Sequence, residues 1–454
     1  MLPLTIRTIA AVVGGEYRGD AALLERCISS VVRDNREVVE DSLFLCFRGE
    51  RVDGHSFAAS AFASGAICAI AERLLDGAGA HIIVDDTAQA LKKLGAHYRN
   101  LLKIPVIGVV GSVGKTTMKE LIAAALGAKM RVLKTDKNLN NELGVPLTLL
   151  SIGEEHDAAV IEMGISDFGE MTRLAEMARP DIVVFTAVGH SHLEQLGDLD
   201  GVLRAKAEVF PLMPRDGVAV LCGDDAHLRG AETGLRTLYF GTDEHNDYRA
   251  ENITADGTNS CKFNVITPSE KVAVELQAYG LHLASSSAGA VAVGELLGLS
   301  QAEIARGLSS YAPIDGRANT IITPNFTLID DCYNANPDSM ASSLRSLSGL
   351  AAPRRVAILG DMKELGANEN ELHRNLGLLI GSLNIDVLIC LGEKAEFIFK
   401  GFIASKAERE RYHFPLREAF FAQLPSLIKK GDAILVKASH SMNFNEIVDF
   451  IKKL

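Results

Sequence analysis

Short apolar runs alternate with segments of helical periodicity along most of the chain. In its middle third, residues 104–110, 160–163 and 182–188 are three such runs, rich in valine and isoleucine, which predict buried strands. The segments between them carry apolar residues at helical spacing, so strand and helix alternate as they do in βαβ units. The pattern therefore predicts an α/β fold built on parallel sheets.

The same alternation continues on both sides of this region and divides the chain into three blocks. We expect a small α/β domain at 1–102, a central domain at 103–313, and a Rossmann-like domain at 314–454 that lacks a GxGxxG turn. The predicted elements are strands at 42–47, 66–71, 81–84, 327–331, 356–360, 387–391 and 433–436, and helices at 87–102, 286–297, 302–308 and 369–379.

Charge and cysteine content narrow the class of protein. The 46 basic and 58 acidic residues give a net charge of −12, which argues against a non-specific nucleic-acid surface or an anionic-membrane surface. The seven cysteines include no CxxC pair, which indicates reduced thiols and neither a zinc site nor a disulfide framework. No apolar run reaches the roughly 18 residues of a membrane span, and the first residues are unlike a signal peptide. We expect a cytoplasmic protein.

The sharpest chemical signal is the segment GSVGKTT at 111–117. It follows a predicted strand and opens a segment with apolar residues at helical spacing. In such a loop the backbone N–H groups and the helix N-terminus hold phosphates, Lys115 adds a positive charge, and Thr116 can reach Mg²⁺. Val109 stands where the usual pattern has its first glycine. The segment predicts nucleotide binding; the alternative is a glycine turn that caps a helix.

Charged residues also follow the neighbouring predicted strands. Glu162 ends one of them, at the sheet edge where open α/β sheets bind ligands, and is either a Mg²⁺ ligand or a solvated acid. His190 and His192 follow the next strand and are either structural or part of an active-site rim. In RAKAE at 204–208, the first and last residues can form an ion pair, and spacing alone predicts that Lys206 is exposed.

The third block has polar segments at its own strand ends. The aspartates and asparagines of DDCYNANPDS at 330–339 can bond ribose hydroxyls or a base edge. The same residue types also form turns and helix caps, and Pro337 is typical of a helix start. LGDMKELG at 359–366 and VKASHS at 436–441 are two further charged strand ends, which are only suggestive by themselves.

Together these motifs resemble the Mur ligase family over nearly the whole chain. LFLCFRGERVDGHSFAASAFASGA at 43–66 is similar to the family's UDP-substrate domain. The ATPase domain of the family is matched by GSVGKTT, NLNNELGVPLTLL at 138–150, EMGISDFGEM at 162–171, HLEQLG and AKAE. Its C-terminal domain is matched by DDCYNANPDSM, LGDMKELG and VKASHS.

The resemblance implies an ATP-dependent ligase. It would join D-alanyl-D-alanine to UDP-N-acetylmuramoyl-tripeptide through an acyl phosphate, in peptidoglycan synthesis. The expected cofactors are ATP and Mg²⁺, and the expected partners are these substrates, with no nucleic acid and no membrane span. The enzyme is expected to act as a monomer.

The resemblance also assigns roles to individual residues. The residues implied for catalysis are Lys115, Glu162, His192 and Lys206. Those implied for ATP are Gly111, Ser112, Val113, Gly114, Lys115, Thr116, Thr117, His282, Asp331, Asn334 and Asn336. The implied Mg²⁺ ligands are Thr116, Glu162, His192 and Lys206. The resemblance implies that Lys206 is carbamylated, because a carbamate is an anionic oxygen donor for a cation and an ammonium is not. The residues implied for substrate are Asn35, Arg36, Asp53, His55, Asn141, Lys437 and Ser439.

Some positions depart from the family pattern. Leu283 and Ser286 follow His282 where the family has an asparagine-containing loop, Asn35 stands in a motif that usually reads Asp-Ser-Arg, and His440 replaces an arginine. A histidine is only partly charged at neutral pH, so its grip on an anion is weaker.

Several alternatives stay open beside this ligase. They are another ligase of the same family or a folylpolyglutamate synthase, a P-loop ATPase that is not coupled to amide formation, and a UDP-sugar-binding protein without chemistry. NNELGVPLT and DDCYNANP favour the D-alanyl-D-alanine ligase over its relatives. The sequence does not identify the third residue of the tripeptide or the group that deprotonates the incoming amine.

Overall fold

The computed structural model describes residues 1–49, 52–75, 79–256, 260–278 and 280–454. Its strands form three sheets of five, nine and six strands. Each sheet falls within one of the three predicted ranges, and parallel pairing dominates the interior of every sheet. The predicted three-part α/β architecture is therefore the observed one.

The N-terminal sheet has the order β1-β5-β4-β3-β2, with only its edge strand β1 antiparallel to its neighbour. Its elements are α1 (Ile6–Val13), β1 (Glu16–Arg18), β2 (Ser30–Val32), β3 (Ser42–Leu45), α2 (Ala58–Ala63), β4 (Ala66–Ala71), β5 (His81–Ile83) and α3 (Thr87–Leu101), with 3₁₀ turns at Ala21–Glu25, Asn35–Glu37 and Gly54–Phe57. The apolar runs of β3 and β4 are almost wholly buried, as continuous apolar strands of a parallel sheet must be.

The central sheet has the order β14-β13-β12-β11-β10-β9-β6-β8-β7. Its elements are β6 (Val106–Val110), α4 (Lys115–Gly127), β7 (Val132–Lys134), α5 (Gly144–Leu150), β8 (Ala158–Glu162), α6 (Glu170–Ala178), β9 (Ile182–Phe185), α7 (Leu193–Leu196), α8 (Leu199–Ala207), a 3₁₀ turn (Phe210–Leu212), β10 (Val218–Cys222), α9 (Ala226–Arg229), β11 (Arg236–Gly241), β12 (Tyr248–Asp256), β13 (Ser260–Ile266), β14 (Lys271–Leu276), α10 (Leu281–Leu296) and α11 (Gln301–Leu308). The strands β12 to β14 form an antiparallel extension that the apolar runs did not predict.

The C-terminal sheet has the order β15-β16-β20-β17-β18-β19, with β15 antiparallel to β16 and the other pairs parallel. Its elements are β15 (Asn319–Ile322), β16 (Thr327–Asp330), α12 (Pro337–Gly349), β17 (Arg354–Gly360), a 3₁₀ turn (Gly366–Asn368), α13 (Glu369–Ser382), β18 (Val387–Leu391), α14 (Ala395–Ala404), β19 (Glu410–Phe414), α15 (Arg417–Leu427), β20 (Asp432–Lys437), a 3₁₀ turn (His440–Met442) and α16 (Asn445–Ile451).

The N-terminal and central sheets share one hydrophobic core. The helix α3 buries Leu91, Leu94 and Tyr98 in a cluster that contains residues of both domains, and it packs against α5 and α6. The Tyr98 hydroxyl donates to the Ile152 carbonyl of the central domain. The predicted boundary after residue 102 thus separates two sheets but not two cores. The C-terminal sheet, in contrast, has its own apolar clusters on its two faces.

The predicted strands are confirmed in their interiors and differ at their ends. Those at 42–47 and 182–188 end early, at Leu45 and Phe185, because the chain turns there towards the loops that follow. The helix predicted at 286–297 begins earlier, at Leu281. Among the helices of the described residues, none is long and apolar enough to cross a membrane.

Candidate functional site

The glycine-rich loop lies where the sequence placed it, between the end of β6 and the start of α4. Gly111 and Gly114 have φ values of +148° and +78°, which favour glycine. A Cβ on Gly111 would lie 2.0 Å from Thr186 Oγ1, so the close approach of the next strand's loop also requires glycine. The N-terminus of α4, where Lys115 begins the helix, is thereby open to a phosphate.

Lys115 points its ammonium group into this loop. Its Nζ donates to the Gly111 carbonyl at 2.8 Å and lies 3.5 Å from the Ser112 carbonyl. Burial lowers the pKa of Lys115, and the negative charge of Glu162 opposes that shift. The side chain therefore supplies a positive charge at the centre of the phosphate loop.

Glu162 ends β8 beside the phosphate loop and is only 2 % exposed. Its Oε1 accepts a hydrogen bond from Asn140 Nδ2 at 2.9 Å, and its backbone N–H donates to Thr135 Oγ1. Its Oε2 is buried and has no hydrogen-bond partner within the described part of the chain. A buried carboxylate oxygen without a donor is a ready ligand for a hard cation, so the residue fits the role in Mg²⁺ binding that the resemblance implied.

Lys206 is buried, and the exposure predicted from its spacing was wrong. It is 1 % exposed in α8, and its Nζ has no hydrogen bond or ion pair to any described residue. Burial, and then the charge of Lys115, lower the pKa of Lys206 well below its ordinary value. The shift favours the neutral amine over the ammonium, and a neutral amine is a nucleophile.

The ion pair predicted within the RAKAE segment does not form. Glu208 instead accepts hydrogen bonds from the backbone N–H groups of Gly169 and Thr172 at the start of α6. The first four backbone N–H groups of a helix have no partner within the helix, and a carboxylate is stabilised by bonding to them. For Glu208 this interaction takes the place of an ion pair with the exposed Arg204. Glu208 thus fixes α6 against α8.

The two histidines after β9 reach the C-terminal domain. His190 donates its backbone N–H to Asp338 Oδ2 at 2.6 Å, and its Nδ1 lies 3.1 Å from the same oxygen. The hydrogen bond with Asp338 raises the pKa of His190. His192 Nδ1 lies 2.8 Å from Glu364 Oε2. Burial lowers the pKa of His192, although the charge of Glu364 opposes this.

The residues predicted for the C-terminal side of the site are held by one another. Lys437 is buried, and its Nζ donates to Asp331 Oδ2 at 2.5 Å and to the Asn334 carbonyl at 3.1 Å. Asn336 caps α12, because its Oδ1 accepts the backbone N–H of Ser339. Lys437 and Asn336 therefore shape this side of the site, and their predicted contacts with substrate and ATP stay predictions.

Two further predicted residues border the same space. Ser439 Oγ accepts the Lys363 backbone N–H at 2.9 Å. His282 is the second residue of α10 and has a buried Nδ1 with no partner among the described residues. Burial lowers the pKa of His282, which favours the neutral form of its imidazole. Both residues line the cavity described below.

Residues that the motifs did not single out also line the site. Arg317 lies over the Tyr333 ring at 3.8 Å, and the Tyr333 and His440 rings are 5.4 Å apart. Asn140, and not its predicted neighbour Asn141, bonds Glu162. Asn141 lines the same cavity, but its Oδ1 accepts the Gly144 backbone N–H at the start of α5. No local signal distinguishes one asparagine of this pair from the other.

The predicted N-terminal substrate residues lie outside this cavity. Arg36 pairs with Asp34, and Asn35 donates to Ser60 Oγ. The buried His55 ring contacts Asp53 at Nδ1 and accepts the Glu72 backbone N–H at Nε2. Both ring nitrogens of His55 are thus already bonded within the domain, which gives it a structural role. The roles of these residues in substrate binding stay predictions.

The central and C-terminal residues enclose one cavity of about 870 Å³. Its wall on the central side carries the phosphate loop with Lys115, Thr116, Glu162 and His192, and its wall on the C-terminal side carries Asp331, Asn334, Asn336 and Ser439. Positive charge, an orphaned carboxylate oxygen and helix N-terminal N–H groups meet in this space. Such an arrangement can hold a polyphosphate with a divalent cation and bring a second reactant against it.

Comparison with known proteins agrees with these features. Residues 28–142 match a model described as "Mur ligase family, catalytic domain", residues 109–294 match "Mur ligase middle domain", and residues 316–440 match "Mur ligase, glutamate ligase domain". A UDP-N-acetylmuramoyl-tripeptide--D-alanyl-D-alanine ligase of Bacillus subtilis is 34% identical over 99% of this chain and 98% of its own length. The chain belongs to the Mur ligase family.

Solved Mur ligase structures share the whole fold. A MurF from Acinetobacter baumannii superposes with a TM-score of 0.90 at 30% identity, covering 100% of this chain and 99% of that one. A MurF ligase from Thermotoga maritima, solved in complex with ADP, gives a TM-score of 0.82 at 29% identity and covers 93% of this chain and 97% of that one. The three-domain arrangement is therefore that of a Mur ligase from end to end.

Proposed function

We propose that this chain is an ATP-dependent ligase that joins D-alanyl-D-alanine to UDP-N-acetylmuramoyl-tripeptide. The products are ADP, phosphate and the UDP-linked pentapeptide of peptidoglycan synthesis. The observation that carries the proposal is the similarity to a ligase of that name over 99% of this chain, and the cavity lined by Lys115 and Glu162 supports it. A protein that only bound UDP-sugars would have no need of Lys115 and Glu162 in one cavity.

The reaction needs two steps, because a carboxylate is a poor electrophile. The terminal carboxylate of the tripeptide attacks the γ-phosphorus of ATP, the bond from that phosphorus to the bridging oxygen breaks, and an acyl phosphate and ADP result. The amine of D-alanyl-D-alanine then attacks the acyl carbon, the amide forms as phosphate leaves, and the amine gives up a proton. The first step brings anions together, so the positive charge of Lys115 lowers its barrier.

The donors around the phosphate loop fit Mg²⁺. The buried, unpartnered Glu162 Oε2, the Thr116 hydroxyl at the start of α4 and the ring of His192 would hold it, together with a carbamylated Lys206. The ion supplies charge neutralisation for the phosphates. Asn140 orients the Glu162 carboxylate, since it donates to the other oxygen at 2.9 Å.

Carbamylation of Lys206 is part of the proposal. Its neutral amine attacks the carbon of CO₂, a C–N bond forms and a proton is released, which leaves an anionic carbamate. The lowered pKa, the burial and the absence of a partner among the described residues all favour this product over a buried ammonium. The variant Lys206→Ala should lose most activity and regain part of it with a short carboxylate in the buffer.

A spectroscopic measurement tests the carbamate without any turnover. Isotopically labelled CO₂ should give a carbamate carbon signal in the NMR spectrum of the wild type that is missing in Lys206→Ala. A spectrum without this signal, or full activity of the alanine variant, would remove the carbamate from the proposal. The ligase itself would remain, since its own test is separate.

That test is phosphate release from ATP and Mg²⁺. The UDP-linked tripeptide and D-alanyl-D-alanine are added first separately and then together. Release that requires both, with a product of pentapeptide mass, is the expected result. Release that is indifferent to either substrate would instead identify a P-loop ATPase that is not coupled to amide formation.

Three finer features complete the proposal. His282, Asp331, Asn334 and Asn336 line the cavity and would contact the nucleotide there. The N-terminal residues Asn35, Arg36 and Asp53 would contact the UDP-linked substrate directly, and His55 would hold Asp53 in place for it. The enzyme acts as a cytoplasmic monomer.

A further inference from the structure

The loop at 186–192, between β9 and α7, contacts two other parts of the molecule at once. On one side is Asp338, the second residue of α12 in the C-terminal domain. Asp338 Oδ2 accepts the backbone N–H of His190 at 2.6 Å, and its two carboxylate oxygens lie 3.1 and 3.2 Å from His190 Nδ1. A single carboxylate from another domain thus fixes both the backbone and the ring of His190.

On its other side the same loop is bonded to the phosphate loop. The Gly189 N–H donates to Ser112 Oγ at 3.0 Å, and the Ser112 N–H donates to the Ala187 carbonyl at 2.9 Å. The Thr186 hydroxyl donates to the Val113 carbonyl. The peptide that follows Gly189 is the one that Asp338 holds. His190 and Gly189 therefore connect Asp338 of the C-terminal domain to Ser112 of the phosphate loop.

The close approach of Asp338 leaves little freedom at this point. A Cβ on Gly189 would lie 2.5 Å from Asp338 Oδ2, so the carboxylate would have to move if residue 189 carried a side chain. The earlier part of the loop is anchored within the central domain, because Asp225 Oδ2 accepts the Val188 N–H at 2.7 Å. The part that carries His190 and His192 relies on the C-terminal domain instead, through Asp338 and Glu364.

We infer that Asp338 is a positioning residue for the ligation. It does not line the cavity; it acts through His190 and Gly189 to set the phosphate loop and His192 when the C-terminal domain is docked. The inference rests on the proposed function for its kinetic consequence, but the docking contact itself is independent of the reaction. The side chains of His190 and Asp338 are 30% and 38% exposed, so the contact borders solvent.

The test compares Asp338→Ala, His190→Ala and the double variant with wild type in the phosphate-release assay. Loss of Asp338 should lower kcat roughly tenfold, because small misplacements of reacting groups have effects of this size. The KM for ATP should stay within about twofold. His190→Ala retains the backbone contact and should have a smaller effect. The double variant should match Asp338→Ala, because Asp338 is the only hydrogen-bond partner of the His190 ring among the described residues.

Two further variants separate this role from a general effect on the fold. Glu371→Ala removes an acidic residue from the first turn of α13 and should behave as wild type. Asp338→Asn keeps an acceptor for the His190 N–H without the charge, so it should lie between wild type and the alanine variant. It also serves as the test if Asp338→Ala does not fold.

Small-angle X-ray scattering with ADP provides a readout that needs no ligation. Asp338→Ala should have a larger radius of gyration than wild type and Glu371→Ala, because its C-terminal domain docks less often. A kcat within twofold of wild type, single effects that multiply in the double variant, or an unchanged radius would each overturn the inference. If the wild type does not ligate, the proposed function fails, and the scattering comparison still decides whether Asp338 holds the domain.

Discussion

The central domain meets its two neighbours in opposite ways. Towards the N-terminal domain it is fused, since α3 buries Leu91, Leu94 and Tyr98 in a core common to both. Towards the C-terminal domain it presents polar contacts, of which His190–Asp338 and His192–Glu364 lie directly beside the phosphate site. The first interface holds the molecule together, and the second encloses the chemistry.

The free energies of the two kinds of contact explain this division. Burial of apolar surface contributes about 25 cal/mol per Å² and has no directional requirement, so a shared core is strong and hard to open. A partly exposed ion pair contributes about 0–1 kcal/mol, but its geometry is specific. Such an interface can separate to admit substrates and then close in one arrangement around a water-sensitive acyl phosphate.

The largest effect is expected from a change at the polar interface that leaves stability untouched. Lys115→Ala removes the charge at the phosphate loop and should lower kcat roughly 100- to 1000-fold. Its thermal midpoint should stay close to that of wild type, because the loss of the hydrogen bond to the Gly111 carbonyl and the relief of burying an ammonium group oppose each other. Steady-state kinetics and calorimetry on the same preparation measure both quantities.

The exposed Lys103, at the joint before β6, provides the matched control. Lys103→Ala removes the same charge outside the cavity and should retain wild-type turnover. Near-normal turnover of Lys115→Ala would contradict the assignment of the phosphate site, whereas a large fall in its midpoint would contradict the separation of chemistry from stability.

The fused interface can be tested with a pair of leucines. Leu94→Ala in α3 and Leu376→Ala in α13 both remove a buried leucine side chain, and each should cost about 2–5 kcal/mol. Leu94 lies in the shared core, so its loss should lower the transition in which the N-terminal and central domains unfold together. Leu376 lies in a C-terminal core, so its loss should lower a separate transition.

Differential scanning calorimetry of the two variants distinguishes these outcomes. The comparison would break if the N-terminal domain of Leu94→Ala unfolded alone, ahead of the central domain. It would break equally if both variants shifted one and the same transition, since the C-terminal domain would then not be an independent unit.

The sequence predicted the parallel strands because each is a continuous apolar run. The runs at 66–71 and 387–391 match β4 and β18 residue for residue. The antiparallel extension β12–β14 was missed, although β14 alternates exposed and buried positions along its whole length. Such an alternation is typical of a half-buried strand, so β14 could have been predicted from the sequence. The C-terminal ends of β3 and β9 could not be predicted from the apolar runs, because the turns that follow determine where these strands end.

The residues of the site could be predicted from the sequence where a short motif at a strand end contains them. Lys115 and Glu162 stand at strand ends that the sequence marks, and the structure brings both to one cavity. The burial of Lys206 depends on the packing of α8, which spacing along one helix does not report. The pairing of His190 with Asp338 joins residues 148 positions apart, and no motif contains such a contact.

The smallest expected effect concerns a loop that supports the polar interface from behind. His373 is buried in α13, where its Nε2 accepts the Met362 N–H at 2.9 Å and its Nδ1 donates to the Glu369 carbonyl at 2.7 Å. These bonds pin the ends of the loop that presents Glu364 to His192, and they require a neutral ring. Burial lowers the pKa of His373, against the charges of Asp361 and Glu369.

The sign of the pH effect follows from this shift. As the pH falls below the ordinary histidine pKa of about 6.5, the unfolded chain binds a proton at residue 373 that the folded domain does not, so stability is lost. The C-terminal transition should therefore weaken between that pH and the lowered pKa. His373→Gln retains an acceptor and a donor but cannot titrate, so it should flatten this dependence. An equal pH slope in both proteins would show that the loop is held by something other than a neutral His373, and the polar interface would then lack the support proposed for Glu364.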